Sequence, residues 1–272
     1  MGQPTYKASR CVENGRLVYH MHTADVGFWE QHWHNHFSAD IYGKAERGWL
    51  AEWFEMPFTV WLPRQGLIVE AGCGLGHLVL ALRTRGYETE GVEMASATVE
   101  LVKDCRPDLP IRVGDVTRLD VPDGYYGGYI SLGVVEHRRE GPDIFLNEAW
   151  RVLKHGGVAL VSVPCFNPLR RLKARFRLYR GATEGLQFYQ YAFTEREFND
   201  LMKDCGFEVV DTVSYDPFKG LKDEIPGLRR ILEWRYVGSR LKRLLKILFR
   251  HCPGFSQRVG HMLLVVGKKH AK

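Results

Sequence analysis

With 272 residues, 45% of them apolar, the chain is long enough for one sizeable α/β domain with additions and too apolar for a disordered one. Its six cysteines are scattered with no Cys-x-x-Cys pair, which argues for reduced thiols and against a disulfide frame or zinc cluster. The formal charge of +6 is local, since residues 222–272 hold 13 Lys/Arg against 3 Asp/Glu, and with no run of 18 apolar residues and no apolar N-terminal segment, neither a membrane span nor a signal peptide is expected.

Residues 1–40 form an arm rich in histidine and aromatics, without a regular element pattern. Within it, His32, His34 and His36 alternate. Alternate residues do not share a helix face, so no metal site is expected there. Trp29, Trp33 and Tyr42 are candidates for an aromatic pocket or lid, with plain packing as the alternative. Ala45–Glu55 reads as a cap helix, which makes residues 1–56 a helical N-terminal part.

The informative segment is Leu67-Ile68-Val69-Glu70-Ala71-Gly72-Cys73-Gly74-Leu75-Gly76. It predicts a buried strand, a tight turn and a helix N-terminus. Glycine lets such a turn adopt positive φ, and the free N–H groups of the helix start favour a polar ligand. The dinucleotide fingerprint G-x-G-x-x-G places its third glycine where this chain has His77, so a nicotinamide-dependent oxidoreductase is disfavoured. Strands at Leu67–Ala71, Thr89–Met94, Ile111–Val113, Tyr129–Val134 and Val158–Val163 alternate with helices near Leu78–Arg85, Ser96–Cys105 and Asp143–Leu153. This alternation predicts a parallel sheet. Phe207–Tyr215 and His261–Val266 supply two further strands. Glu70, Glu93, Asp115 and Glu136 all fall at strand carboxyl ends, where such sheets bind ligands. Glu93 lies about 20 residues past the glycines, where a carboxylate accepts hydrogen bonds from ribose hydroxyls.

Taken together, Glu-x-Gly-x-Gly-x-Gly at 70–76, Gly114-Asp115, the Val135-Glu136-His137 strand end, Arg151-Val152-Leu153-Lys154-His155-Gly156-Gly157, and Cys205-Gly206-Phe207 resemble the ordered motifs of class I S-adenosylmethionine-dependent methyltransferases, of the type 11 kind. His155 stands where that family usually has proline. The resemblance spans roughly residues 65–215. It implies a Rossmann-like, doubly wound, seven-stranded, mostly parallel sheet whose last strand runs antiparallel between the fifth and sixth. It also implies S-adenosylmethionine as cofactor, held by Glu70, Gly72, Cys73, Gly74, Gly76, Glu93, Met94, Asp115, Val116 and Leu132, with Asp115 on the adenine amino group. An oxygen acceptor must lose a proton, so His137 is the candidate base and Glu136 its orienting neighbour or a donor-facing group. The alternative is that both only cap the turn.

Two basic segments stand outside these motifs. Pro168–Arg180 carries six cations and no acid. Leu228–Arg250 places Val237, Leu241, Leu244, Leu245 and Leu248 at helical spacing among Arg240, Lys242, Arg243, Lys246 and Arg250. Such a basic amphipathic helix suits an anionic membrane surface, a lid over the acceptor, or nucleic acid. The strand end reads Leu132-Gly133-Val134-Val135-Glu136-His137, not Asn/Asp-Pro-Pro-Tyr, so a flipped-base substrate is disfavoured. The chain is also similar, more loosely, to quinone-biosynthesis O-methyltransferases, which implies an amphiphilic acceptor. The expected organisation is therefore residues 1–56 as arm and cap, and 57–272 as the cofactor-binding domain, with insertions at 165–192 and 217–256. The expected function is methyl transfer to a hydroxyl on a small or lipid-linked molecule, in the cytoplasm, with the basic segments open to two roles, a lid over the acceptor or a peripheral membrane contact. Amine, carbon, nucleic-acid or protein acceptors, or a non-catalytic nucleotide-binding relative, are the alternatives.

Overall fold

The structure is a computed structural model that describes residues 8–22, 25–37, 40–233 and 237–270. The chain opens with a hairpin, β1 (Ser9–Glu13) and β2 (Arg16–Met21). Asn14 and Gly15 turn it with φ of 49° and 83°. Two successive positive φ values are what a tight hairpin of this twist requires, and Asn-Gly meets them at least cost. Helix α1 (Val26–His36) follows, its N-terminus capped by the Asp25 carboxylate, which accepts from the Phe28 amide. The arm is thus a hairpin and a helix, not the irregular segment expected. The single cap helix expected over Ala45–Glu55 is also replaced. Helix α2 (Ile41–Ala45) stops before Gly48, whose φ is +66°, and α3 (Glu52–Trp61) starts after the extended Ala51. A left-handed residue cannot continue a helix.

The central sheet is assembled from β3 (Ile68–Ala71), β4 (Thr89–Glu93), β5 (Ile111–Val113), β6 (Tyr126–Leu132), β7 (Leu153–Pro164), β9 (Phe207–Tyr215) and β10 (Met262–Lys269), with β8 (Gln187–Ala192) lying elsewhere. Its order is β5-β4-β3-β6-β7-β10-β9. Six strands, β9 among them, run in one direction, and β10 runs antiparallel between β7 and β9. This is the seven-stranded, doubly wound arrangement expected.

Helices cover both faces. Ile68, Ile130, Leu160 and Leu264 pack on one side with α3, α4 (His77–Thr84) and α5 (Ser96–Cys105). Val69, Tyr129, Val161 and Leu263 pack on the other with α6 (Asp143–Val152) and α8 (Glu195–Asp204). Strict alternation along the strands sends successive residues to opposite faces. Helix α4 buries Leu78, Val79, Leu80, Ala81 and Leu82. Each large apolar side chain so buried contributes about 1.5–3 kcal/mol.

Strand β8, from the insertion after β7, pairs with β2, so arm and insertion form one three-stranded sheet, β1-β2-β8. Between β7 and β8 lies α7 (Pro168–Arg175). The C-terminal insertion folds as α9 (Pro217–Glu224), α10 (Leu228–Glu233), α11 (Val237–His251) and α12 (Pro253–Val259). Helices α10 and α11 both fall in the helical pattern expected over 228–250, and residues 234–236 between them lie outside the described residues. Of the six cations in 168–180, two turn inward. Arg170 is fully buried and donates to Glu224 at 3.0 Å, and Lys173 reaches the same carboxylate at 2.6 Å. Arg10 completes the cluster from the arm at 2.6 Å, and Tyr179 donates at 2.7 Å. These partners hold the Glu224 carboxyl below its ordinary range despite its burial.

Candidate functional site

The carboxyl ends of β3, β4, β5 and β6 open onto one cavity of about 2060 Å³. Single-ligand pockets commonly measure roughly 300–1,000 Å³, so this space accommodates two ligands side by side. Its floor is built by the strand ends. Glu70 from β3, Glu93 and Met94 from β4, Asp115 and Val116 beyond β5, and Leu132, Glu136 and His137 at and beyond β6 all line it. Gly72 and Cys73 of the glycine turn line it too.

Glu93 is buried and works on the turn itself. One carboxylate oxygen accepts from the Gly74 amide at 2.9 Å, the other from the Ala95 amide at 3.1 Å. Each oxygen retains a second lone pair for a ligand hydroxyl. Asp115 is exposed, and one of its oxygens is engaged by the Thr117 amide and hydroxyl at 2.8 and 2.7 Å. Glu70 is buried with one oxygen that finds no hydrogen-bond partner, and burial holds its carboxyl well above the ordinary range. A buried polar atom without a partner at a cavity wall fits a polar ligand. Gly72 sits at φ +79°, where a Cβ would meet the Val134 side chain at 2.5 Å. The remaining glycines face protein. A Cβ on Gly74 would meet the Trp33 indole at 2.5 Å, and one on Gly76 would collide with the Ile111 side chain. The cavity walls thus offer a buried carboxylate at the end of β4, an exposed one beyond β5 and an unsatisfied carboxyl at the end of β3, a set of polar groups that fits S-adenosylmethionine.

The wall opposite the floor comes from the arm. Trp29 and Trp33 of α1 line the cavity, as the sequence leads one to expect. Tyr42 does not. It is buried, and its hydroxyl donates to the Leu75 carbonyl at 2.9 Å, so it braces the glycine turn from behind. A sequence read without α2 in place gives no sign of which way that ring turns.

His137 stands on a single 3₁₀ turn, Val135–His137, directly after β6. Its ring meets Trp29 edge-on at 4.8 Å and Tyr189 at 4.7 Å. Nδ1 lies 2.8 Å from the Tyr189 carbonyl. A carbonyl only accepts, so Nδ1 carries the hydrogen and the neutral ring keeps its lone pair on Nε2. Nε2 is 3.9 Å from a Glu136 oxygen, and the other Glu136 oxygen is buried without a partner. Burial pushes the two groups in opposite directions: His137 down to about 4, Glu136 up to about 8. At neutral pH both are therefore uncharged. Sequence reasoning missed Tyr189, which β8 delivers. An aromatic run, Phe188-Tyr189-Gln190-Tyr191, between Gly185 and Thr194 is the signal that marks that strand. Sequence reasoning likewise missed the far end of the cavity, where Tyr215, Lys219, Asp223 and His261 stand.

Residues 69–161 match the methyltransferase domain family. The chain is 30% identical over 201 residues to a probable S-adenosylmethionine-dependent methyltransferase of Mycolicibacterium smegmatis, covering 73% of this chain and 70% of that one. It is 27% identical over 105 residues to the malonyl-[acyl-carrier protein] O-methyltransferase of Serratia marcescens, covering 39% and 41%. Among solved structures, a SAM-dependent methyltransferase from Methanosarcina mazei superposes with a TM-score of 0.55 at 18% identity, over 79% of this chain and 98% of that one. A seven-stranded sheet with this strand order, a cavity at its carboxyl edge and a curated relative sharing most of both lengths lead to one conclusion: the chain belongs to the class I S-adenosylmethionine-dependent methyltransferase family.

Proposed function

We propose that the protein methylates a hydroxyl oxygen on a small or lipid-linked acceptor, with His137 as the base. When bound, S-adenosylmethionine supplies a methyl group on a sulfonium, already activated for displacement. The task left to the chain is to position two reactants, exclude water and accept one proton. In this reading Glu93 takes the ribose hydroxyls, Asp115 the adenine amino group, Val116 and Met94 flank the base, and Glu70 meets the remaining polar end. Trp29 and Trp33 close the cavity above.

The observation that carries the proposal is the hydrogen bond from His137 Nδ1 to the Tyr189 carbonyl. It fixes the ring and leaves Nε2 as a lone-pair acceptor on a residue that lines the cavity. Glu136, uncharged at neutral pH, puts no negative charge beside a departing hydroxyl proton. The Serratia marcescens relative is an O-methyltransferase, which agrees with an oxygen acceptor.

A second part of the proposal concerns where the acceptor is met. Four cations of 168–180 are exposed: Arg171, Arg175, Arg177 and Arg180. Between them Leu172, Phe176 and Leu178 are 53%, 65% and 62% exposed. On α11, Leu244, Ile247 and Leu248 are exposed beside Arg240, Lys242 and Arg243. Exposed apolar side chains set among cations suit an anionic lipid surface. Among the described residues no helix is long and apolar enough to cross a membrane.

The test is methyl release from labelled S-adenosylmethionine against a matched set of phenol, carboxylate, amine and activated-carbon acceptors, the phenol also offered on an isoprenoid chain. The proposal expects a methyl ether as product. Methylation of the amine or carbon members alone overturns the oxygen assignment, and donor binding without release to any acceptor points to a non-catalytic relative.

A further inference from the structure

Away from the cavity, the hairpin gathers three side chains of metal-ligating type. The pairing of β1 with β2 sets Ser9 opposite His20, Cys11 opposite Val18 and Glu13 opposite Arg16. Paired residues project to the same side of a sheet, so Cys11, Glu13 and His20 share one face. Tyr19 and Met21, on the other face of β2, line the cavity. Cys11 Sγ lies 3.3 Å from Glu13 Oε1 and 3.8 Å from His20 Nδ1, and Glu13 Oε1 lies 3.5 Å from His20 Nε2. One atom from each of the three falls within 4.8 Å of the others.

We propose that Cys11, Glu13 and His20 form a binding site for a borderline-soft divalent cation of the Zn²⁺ type. Ligands held about 2.0–2.3 Å from a tetrahedral zinc stand roughly 3.3–3.8 Å from one another. With one His20 nitrogen taken as the ligand, the three atoms here lie within 4.8 Å of each other and close onto an ion by small side-chain rotations. The donor set of one thiol, one imidazole and one carboxylate selects against magnesium and calcium, which take oxygen ligands. The outer contacts agree. Glu13 Oε2 receives Arg139 Nη2 at 3.3 Å, which leaves Oε1 turned toward Cys11 and His20. Metal-ligating carboxylates are commonly held in this way by a second partner. His20 is buried and Cys11 and Glu13 are partly exposed, so an ion enters from solvent and a water completes its coordination.

Binding a divalent ion displaces the Cys11 thiol proton to solvent and replaces its 3.3 Å hydrogen bond to Glu13 with a metal–thiolate bond. The site is structural in position. It clips the two strands of the hairpin together, and β2 pairs with β8, whose Tyr189 carbonyl orients His137. Nothing in this inference depends on the acceptor or on methyl transfer.

The experiment is a titration of metal-free, reduced protein with Co²⁺, followed by near-ultraviolet thiolate-to-cobalt absorption, then displacement with Zn²⁺. One equivalent of Co²⁺ should develop the band in the wild type. Cys11→Ser should abolish it, and His20→Gln and Glu13→Gln should weaken binding at least tenfold. Zn²⁺ should also raise the melting temperature of the wild type but not of Cys11→Ser. Among the described residues no other group of three histidine, cysteine or acidic side chains brings its ligand atoms this close together. Absence of the band in folded wild-type protein, its persistence in Cys11→Ser, or equal affinity in His20→Gln each overturns the proposal. Because the wild-type titration alone is decisive, a variant that fails to fold does not rescue it.

Discussion

His137 and Glu136 are adjacent and buried, yet burial makes one a poorer acceptor of protons and the other a poorer donor. The ordinary histidine value is near 6.5. Held at about 4, His137 keeps its lone pair through mildly acidic pH. Wild-type kcat/KM should therefore stay flat between pH 7 and 5.5, where an unperturbed histidine would already cost activity. His137→Asn should lower kcat by about 10²–10⁴ and leave the dissociation constant for S-adenosylmethionine unchanged. A variant with wild-type kcat removes the base assignment. Glu136, at about 8, is protonated at neutral pH, and glutamine is its uncharged near-isostere. Glu136→Gln should keep kcat/KM at pH 7 within about threefold while erasing any change of rate near pH 8. If it is as inactive at pH 7 as His137→Asn, Glu136 acts in its ionised form. The stability signs follow by linkage. Glu136 binds its proton more tightly folded than unfolded, so its contribution is full below about 4.5 and is lost as pH rises through 8. His137 does the reverse: its contribution is present above 6.5 and is lost as pH falls through 4. Urea midpoints measured across this range should show wild type losing stability relative to Glu136→Gln between pH 5 and 9.

Elements whose reason lies in local sequence were legible. The strands β3, β4, β5 and β9 and helix α5 fall within a residue of expectation, because their apolar periods and bounding glycines are local signals. Asn14-Gly15 between two β-prone runs is an equally local hairpin signal, and it is the element that the irregular arm expected over residues 1–40 leaves out. Gly15 has φ +83° and open space around its Cα, so a side chain there meets only backbone strain. Gly15→Val should destabilise by about 1–2 kcal/mol in urea unfolding. An unchanged midpoint would mean that the hairpin adds nothing to global stability. What was not legible came from distance in sequence. Tyr42 turns toward Leu75, Tyr189 reaches His137, and Arg170 buries against Glu224 only because separate insertions dock on one another. A charge run therefore read as an outward surface is partly a buried ion cluster.

At the scale of the molecule, the central sheet carries its ligand floor on four strand ends while its roof and walls come from the arm and two insertions. The floor follows from motif spacing; the roof has no code in sequence. The membrane reading belongs at this scale too, because α7 and α11 contribute to it from two separate insertions. Liposomes containing phosphatidylserine should float the protein, and changing Arg171, Arg175, Arg240 and Arg243 together to Gln should abolish flotation. Flotation that survives the change removes these segments as the contact. The claim on which the remainder depends is that the nucleoside lies at the carboxyl edge of the sheet, its sugar on Glu93 and its sulfur toward His137. The most direct measurement is a crystal structure with S-adenosylhomocysteine. Ribose hydroxyls within hydrogen-bond distance of both Glu93 oxygens, and the sulfur facing open space beside His137, are the predicted result. A nucleoside bound elsewhere, with Glu93 still bonded only to the Gly74 and Ala95 amides, would contradict it.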